Sequence, residues 1–190
     1  MPDELPPRTE RISWDYIVKV VTSGDIESIG KARSVAQIAE YNAYREDLLK
    51  THASVADWML INVMSVEEGQ DASGRVTAKR CAEMKSELVW RANEFPYYLE
   101  EGIEHHCIWC SHSLSAASVQ DILMKERPAH EVVWWVNPPH LQSIPELEHA
   151  HVLSRELAPD RVAQLAPGLA PDEAPLRGWQ LCQPVPDLVN

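Results

Sequence analysis

The chain has 190 residues, enough for one large domain, or a domain with a tail, around a real hydrophobic core. Hydrophobic residues make up 45% and charged residues 24%, a globular mixture that excludes a wholly disordered chain. Twenty-nine acids against 17 bases leave a net charge of −12, which argues against nucleic acid or an anionic membrane surface as partner, and no apolar run approaches the roughly 18–20 residues that span a bilayer.

Residues 1–12, beginning Met1-Pro-Asp-Glu-Leu-Pro-Pro-Arg8, are polar and proline-rich, and read as a disordered N-terminus rather than a secretory signal. A helical layer is expected over 13–64. Trp14, Ile17, Val18 and Val21 form a short amphipathic stretch that stops at Ser23-Gly24, and a brief turn follows over Asp25–Ile29. From Ser34, a plausible N-cap, Val35, Ile38, Tyr41, Leu48, Val55, Trp58 and Ile61 recur near helical spacing, as one helix or two broken near Thr51–Ser54. This layer shows no chemistry and reads as packing. Residues 65–86 are polar, hold Gly69 and Gly74, and read as a connection with a short helix near Ala78–Lys85.

Residues 87–156 change character. Glu87–Asn93, Ile103–Cys110, Glu131–Asn137 and His149–Ser154 are short runs rich in Val, Ile and Trp with breakers at their ends, and Ser113–Lys125 has helical spacing. The order β-β-α-β-β predicts an α+β fold: an antiparallel sheet unit with helices on one face. The final zone, 157–190, holds six of the 14 prolines and reads as an extended tail. Four cysteines at 81, 107, 110 and 182, without a secretion signal, suggest a reduced, cytoplasmic setting. Cys107-Ile-Trp-Cys110 lies within a strand, where residues three apart leave opposite faces, so the two thiols are expected to be structural rather than a redox pair.

Histidines carry the chemical signal. His105, His106, His140, His149 and His151 fall in the sheet zone. His149 and His151 share a strand face, and with His105 on a neighbouring strand three imidazoles could converge for metal ligation, nucleophilic or acid–base work, or phosphate binding. His106, His112 and His52 read as surface residues, and His140, beside Pro138-Pro139, as a member of a site-lining loop. The stretch Asn93-Glu-Phe-Pro-Tyr-Tyr-Leu-Glu-Glu-Gly102 reads equally as a pocket wall or a packed hairpin turn. Arg33, Arg91 and Arg155 are candidate anion holders, though each is more often a salt-bridged residue.

Several words are recognisable: Trp14 with Asp25-Ile, Ala32-Arg-Ser34, Tyr41, Ser54-Val-Ala-Asp57, Asn93-Glu-Phe-Pro-Tyr97, Gly102-Ile-Glu-His105 with Trp109, Leu141-Gln-Ser-Ile144 and Glu148-His-Ala-His-Val152. Across about 14–156 the chain resembles the N-acetylglucosamine-induced protein family, a fungal and bacterial domain of unknown function, with departures at His106 and Cys110. More distantly, the β-β-α-β-β order, Asn93-Glu-Phe-Pro, Gly102-Ile-Glu-His105, and Asn137 with Gln142-Ser143 and His149-Ala-His-Val-Leu-Ser-Arg155 are similar to the histidine-triad superfamily of nucleotide hydrolases and transferases. That likeness places His149 on the nucleophilic middle histidine and His151 on the last. Leu147 stands in the first histidine's place, Leu141 where a glycine is usual, Ser154 where a proline is usual, and the loop is one residue longer.

The expectation leans toward an enzyme. In one version His149, supported by His151 and His105, acts on a small phosphorylated or nucleotide-type substrate held by Asn93, Tyr97, Asn137, Gln142, Ser143 and Arg155. In a second, His105, His149 and His151 bind Zn, Fe or Cu. A third makes the sheet a non-catalytic ligand- or protein-binding platform. The partner expected is a small molecule, and the sequence leaves room for a homodimer.

Overall fold

In the computed structural model of the protein, described over residues 7–29, 32–79, 88–111, 113–128 and 130–157, a four-stranded antiparallel sheet organises the chain. Its strands are β3 (Leu88–Ala92), β4 (Glu104–Cys110), β5 (His130–Val136) and β6 (Glu148–Glu156), in spatial order β3-β4-β6-β5. A two-stranded sheet of β1 (Glu68–Gln70) and β2 (Val76–Ala78) stands apart. Helices α1 (Trp14–Ser23), α2 (Val35–Leu48), α3 (Val55–Asn62) and α4 (Ala116–Glu126) complete an α+β fold. The expected tail beyond 157 and residues 1–6 lie outside the described residues, and of the short helix expected near Ala78–Lys85, Ala78 instead ends β2 while residues 80–85 lie outside them.

The helices start and stop where their sequences dictate. Ser13 accepts from the Tyr16 N–H to cap α1, and Gly24 closes it with φ 74°, a left-handed conformation that glycine adopts freely. Ser34 and Gln37 form a reciprocal capping box at the start of α2. Helices α2 and α3 are separate. Between them the Ala53 N–H donates to the Val76 carbonyl and the Val76 N–H to the Thr51 carbonyl, and Ser54 caps α3. The stretch expected to be a connection is instead a hairpin, because Asp71 Oδ1 accepts from the Ser73 and Arg75 N–H groups and Gly74 takes φ 82°. The hairpin is anchored on α3 where the Ala78 N–H donates to Asp57. Residues 8–12, expected with the disordered N-terminus, are tied in: the Arg8 N–H donates to the Arg33 carbonyl and the Ile12 N–H to the Tyr98 carbonyl.

Helices cover both faces of the sheet rather than one. Strand parity sorts the residues. Even-numbered positions, Ile108, Cys110, Trp134, Ala150 and Val152, pack under Val119 and Leu123 of α4. Odd-numbered positions meet the N-terminal layer in two separate apolar clusters. In one, Val133, Trp135 and Leu153 pack against Trp14, Ile17, Val20 and Val21 of α1. In the other, Val89 and Trp109 meet Met59 and Leu60 of α3 with Ile144 and Leu147. Helix α2 departs from the expected packing role: Val35 is 66% exposed, and within the helix Leu48 alone is buried.

Leu153 sits at the centre of this arrangement with no exposed surface. Leu153→Ala should therefore cost about 2–5 kcal/mol of unfolding free energy, read by denaturant titration. A cost under about 1 kcal/mol would contradict the packing described.

Candidate functional site

Between the two apolar clusters the odd face carries a polar seam. The strand register brings it together: Cys107 opposite His151, Trp109 opposite His149, and Trp135 opposite His151. Asn93 and Asn137 extend β3 and β5 by one residue each and so keep the same parity. Across the sheet the seam reads Asn93, His105 and Cys107, His151, Asn137. His105, His149 and His151 are all buried, as is Tyr97, whose ring lies 4.4 Å from that of His105 and 5.5 Å from that of His151.

Hydrogen bonds fix the orientation of these groups. The Phe95 N–H donates to Asn93 Oδ1 at 2.9 Å, which turns Asn93 Nδ2 toward His105 Nε2 at 3.3 Å and Cys107 Sγ at 3.5 Å. Trp135 Nε1 donates to Asn137 Oδ1 at 2.9 Å, so Asn137 Nδ2 faces His151 Nε2 at 3.0 Å. His105 Nε2 and His151 Nδ1 face each other at 3.0 Å. The Tyr97 N–H meets His105 Nδ1 at 3.3 Å.

His149 stands slightly apart, with its ring stacked on Trp109 at 4.4 Å. Its Nδ1 lies 3.0 Å from the Leu147 carbonyl. A carbonyl only accepts, so Nδ1 carries the hydrogen and Nε2 bears the lone pair. Nε2 has no hydrogen-bond partner among the described residues. Nor is it sealed in, since the one buried side-chain nitrogen or oxygen without a partner among those residues is His130 Nδ1. His149 lines a cleft of about 90 Å³, room for a few water molecules, together with Asn93, Cys107, Ser143 and His151.

Burial sets the protonation states. Desolvation pushes the pKa of His149 below the usual imidazole value, and those of His105 and His151 well below it, with the Arg33 charge adding to the effect on the latter two. Burial pushes the Tyr97 phenol and the Cys107 thiol each up to about 12. The seam is therefore neutral at pH 7.

Not every expected residue arrives here. Gln142 braces the loop by donating to the Asn137 carbonyl at 2.8 Å. Arg155 is four residues beyond His151, about 13 Å along the strand. It pairs there with Glu131 at 2.5 Å and stacks on Trp14. His140 is exposed and bonds Glu27 at 3.1 Å, so it lines no site. His106, expected on the surface, is buried on the opposite face, stacked on Trp90 with Arg127 as its hydrogen-bond partner. His112 lies outside the described residues. Cys107 and Cys110 form no disulfide and lie on opposite sides of the sheet, as strand parity requires, but Cys107 belongs to the seam. Of the cleft's outer wall, Arg33 is one of the candidate anion holders and Phe95 lies in the stretch read as a pocket wall, whereas Tyr41, Tyr44 and Trp58 read as packing residues, although Tyr41 and Tyr44 are a helical turn apart and share a face.

Among the described residues, the group whose ligand atoms lie close enough for a metal, within 4.8 Å, is His105, Cys107 and His151, with His149 outside it. The surroundings fit a metal poorly. A metal-bound imidazole normally presents its other nitrogen as N–H to an acceptor. Here both outer nitrogens meet donors, the Tyr97 N–H and Asn137 Nδ2. The two inner nitrogens, 3.0 Å apart, are also closer than the roughly 3.3 Å that two ligands on tetrahedral zinc require.

Lowered imidazole pKa values imply a sign for stability. Below the ordinary value of about 6.5, the unfolded chain binds protons that the folded seam refuses, so stability is retained above about pH 6.5 and lost as pH falls through that value. Melting temperature should drop between pH 7.5 and 5, and the drop should shrink in His151→Gln. An unchanged pH dependence in that variant would contradict neutral burial.

The comparisons with known proteins bear on the fold and the family. A solved structure described as the crystal structure of HTC1 superposes with a TM-score of 0.51 at 22% identity, covering 85% of this chain and 90% of that one, and this likeness concerns the fold alone. An uncharacterised protein of Saccharomyces cerevisiae, YPL067C, is 24% identical over 158 residues, 74% of this chain and 77% of its own length. N-acetylglucosamine-induced protein 1 of Candida albicans is 22% identical, over 82% of this chain and 73% of its own length. A family model described as protein of unknown function (DUF3605) matches residues 13–129, which include Arg33, Asn93, His105 and Cys107 and stop short of His149 and His151. The chain belongs to that family.

Proposed function

We propose that the protein is a histidine-site enzyme acting on a small phosphorylated or nucleotide-type substrate, as a phosphoester hydrolase or transferase of the histidine-triad kind. The observation that carries this reading is the state of His149: its Nδ1 hydrogen is held by the Leu147 carbonyl, and its Nε2 lone pair has no partner among the described residues and lies at a cleft. A neutral imidazole held in that way is an activated nucleophile without further help. The antiparallel order β3-β4-β6-β5, with a helix between β4 and β5, supports the likeness to the triad fold. The net charge of −12 favours a small molecule over nucleic acid, and the reduced state of Cys107 and Cys110 suits a cytoplasmic enzyme.

In this reading His149 Nε2 attacks phosphorus, a P–N bond forms, and the P–O bond to the leaving group breaks. The leaving oxygen departs with the electron pair and takes a proton from solvent. Water then attacks the phosphorus and forms a new P–O bond, and the P–N bond breaks with its electron pair returning to Nε2. The phosphate product leaves as one proton of that water goes to solvent, restoring the neutral imidazole. Trp109 fixes the ring by stacking, and Ser143 and Asn93 lie at the cleft for the phosphoryl oxygens. His105, His151 and Asn137 form the rigid layer behind it.

His149→Ala should cut turnover of a responsive phosphoester by at least about 100-fold while the same compound still binds. The assay is a panel of nucleotides and simple phosphoesters, with mass spectrometry of the protein for a phosphoryl or nucleotidyl adduct. A His149→Ala protein as active as the parent contradicts the proposal. A stoichiometric metal in the purified parent that is lost in His151→Ala would favour the metal-dependent alternative, and ligand binding without turnover in the parent would favour the non-catalytic one.

A further inference from the structure

The side of the cleft facing away from the sheet is built from a different part of the chain. Arg33 precedes α2, Tyr41 and Tyr44 project from α2, Trp58 from α3, and Phe95 from the loop after β3. The rings interlock: Phe95 lies 5.2 Å from Tyr41 and 4.9 Å from Tyr44, and Tyr44 lies edge-on to Trp58 at 6.1 Å. This explains why α2 buries so little of itself, since its aromatic face borders an open cleft rather than a core.

Two guanidinium groups line the same space and differ in one respect. Arg91 is neutralised by an ion pair with Glu94. Arg33 is half-buried, and both its Nε and its Nη2 donate to the Phe95 carbonyl, at 3.0 and 2.7 Å. It has no carboxylate partner among the described residues. Its guanidinium carbon lies over the rings of Tyr41 and Tyr97, 5.2 and 5.4 Å from their centres. The Phe95 carbonyl occupies one edge of the fork, so three of the five N–H donors remain. A cation withdrawn from water without a counter-charge is costly, and an anionic ligand offsets that cost. The charge also acts inward, on His105, His151, Tyr97 and Cys107.

We infer that this wall is a ligand subsite for an anionic group carried on a planar ring, in which the free edge of Arg33 binds the anion and Tyr44, Trp58 and Phe95 flank the ring. Arg33 takes the role expected of Arg155, which is paired elsewhere. The inference rests on the phosphoryl-site reading of His149 for the identity of the anion, but binding alone tests it. The cleft's small volume places only the anion and part of the ring inside, with the remainder of the ligand in the open mouth.

The experiment is calorimetric titration with phenyl phosphate, inorganic phosphate and phenol, on the parent and on Arg33→Gln, Arg33→Lys, Trp58→Ala and Arg155→Gln, each checked for folding by circular dichroism. The parent should bind phenyl phosphate more tightly than either fragment. Arg33→Gln should weaken it by about 10- to 100-fold, as loss of a charged hydrogen bond does. Trp58→Ala should reduce the preference for phenyl phosphate over inorganic phosphate by about three- to tenfold. Arg155→Gln, which removes a guanidinium paired with Glu131 away from the cleft, should bind within about threefold of the parent. If Arg33→Gln fails to fold, Arg33→Lys carries the test: it keeps the charge, loses the fork, and should bind several-fold more weakly. Parent-like affinity in the folded Arg33 variant, or no binding by the parent, overturns the inference. Arg33-dependent binding by a parent that turns over no phosphoester would sink the catalytic reading and leave the subsite standing.

Discussion

The pairing of Cys107 with His151 across β4 and β6 is the constraint from which the site follows. Side chains alternate along a strand, so this register decides that every odd-numbered residue of the sheet faces the N-terminal layer. His105, Cys107, His149 and His151 are thereby placed on one face, with Asn93 and Asn137 at the ends of the flanking strands. A slip of one residue would send all of them under α4 and bring Ile108 and Val152 into the cleft. The even face prevents it: Ile108, Ala150 and Val152 have no exposed surface and fill the space beneath Val119 and Leu123. Packing on one side of the sheet thus holds the chemistry on the other.

The N-terminal layer meets the odd face as two apolar clusters and leaves a seam between them. Polar groups in such a seam survive only if their hydrogen bonds are met internally. Asn93 and Asn137 do this, each with its oxygen occupied by an outside donor and its nitrogen turned inward. The imidazoles stay neutral because burial penalises their charged form. His149 differs from its neighbours in that, among the described residues, only one of its nitrogens has a partner. The inner histidines behave as scaffold, and the outer one faces the cleft.

Much of this was legible before any coordinates. Runs of Val, Ile and Trp between breakers located all four long strands, because fully or half-buried strands have little choice of composition. Parity puts His149 and His151 on one face, and His105 joins them because β4 pairs with β6. Parity would also have placed Cys107 with them, but its C-x-x-C context directed attention to a redox pair. Arg155 has the right parity and failed on distance, which depends on how far along β6 the cleft sits. Helices on both faces could not be read from α4 itself, since an amphipathic helix does not say which side of a sheet it covers. The aromatic wall was missed for a similar reason. Tyr41, Tyr44 and Trp58 look like core residues in a helical pattern, and only the tertiary placement of α2 beside the cleft distinguishes a pocket lining from packing.

The central claim is that His149 is a neutral imidazole with its hydrogen on Nδ1 and a free lone pair on Nε2. Long-range ¹H–¹⁵N correlation spectra of the full chain at pH 7.5, assigned with His149→Ala, read this directly. The account predicts a protonated-type Nδ1 and an unprotonated-type Nε2 for His149, with Nε2 shifting when phenyl phosphate is added. The opposite tautomer, or an imidazolium at that pH, would contradict it.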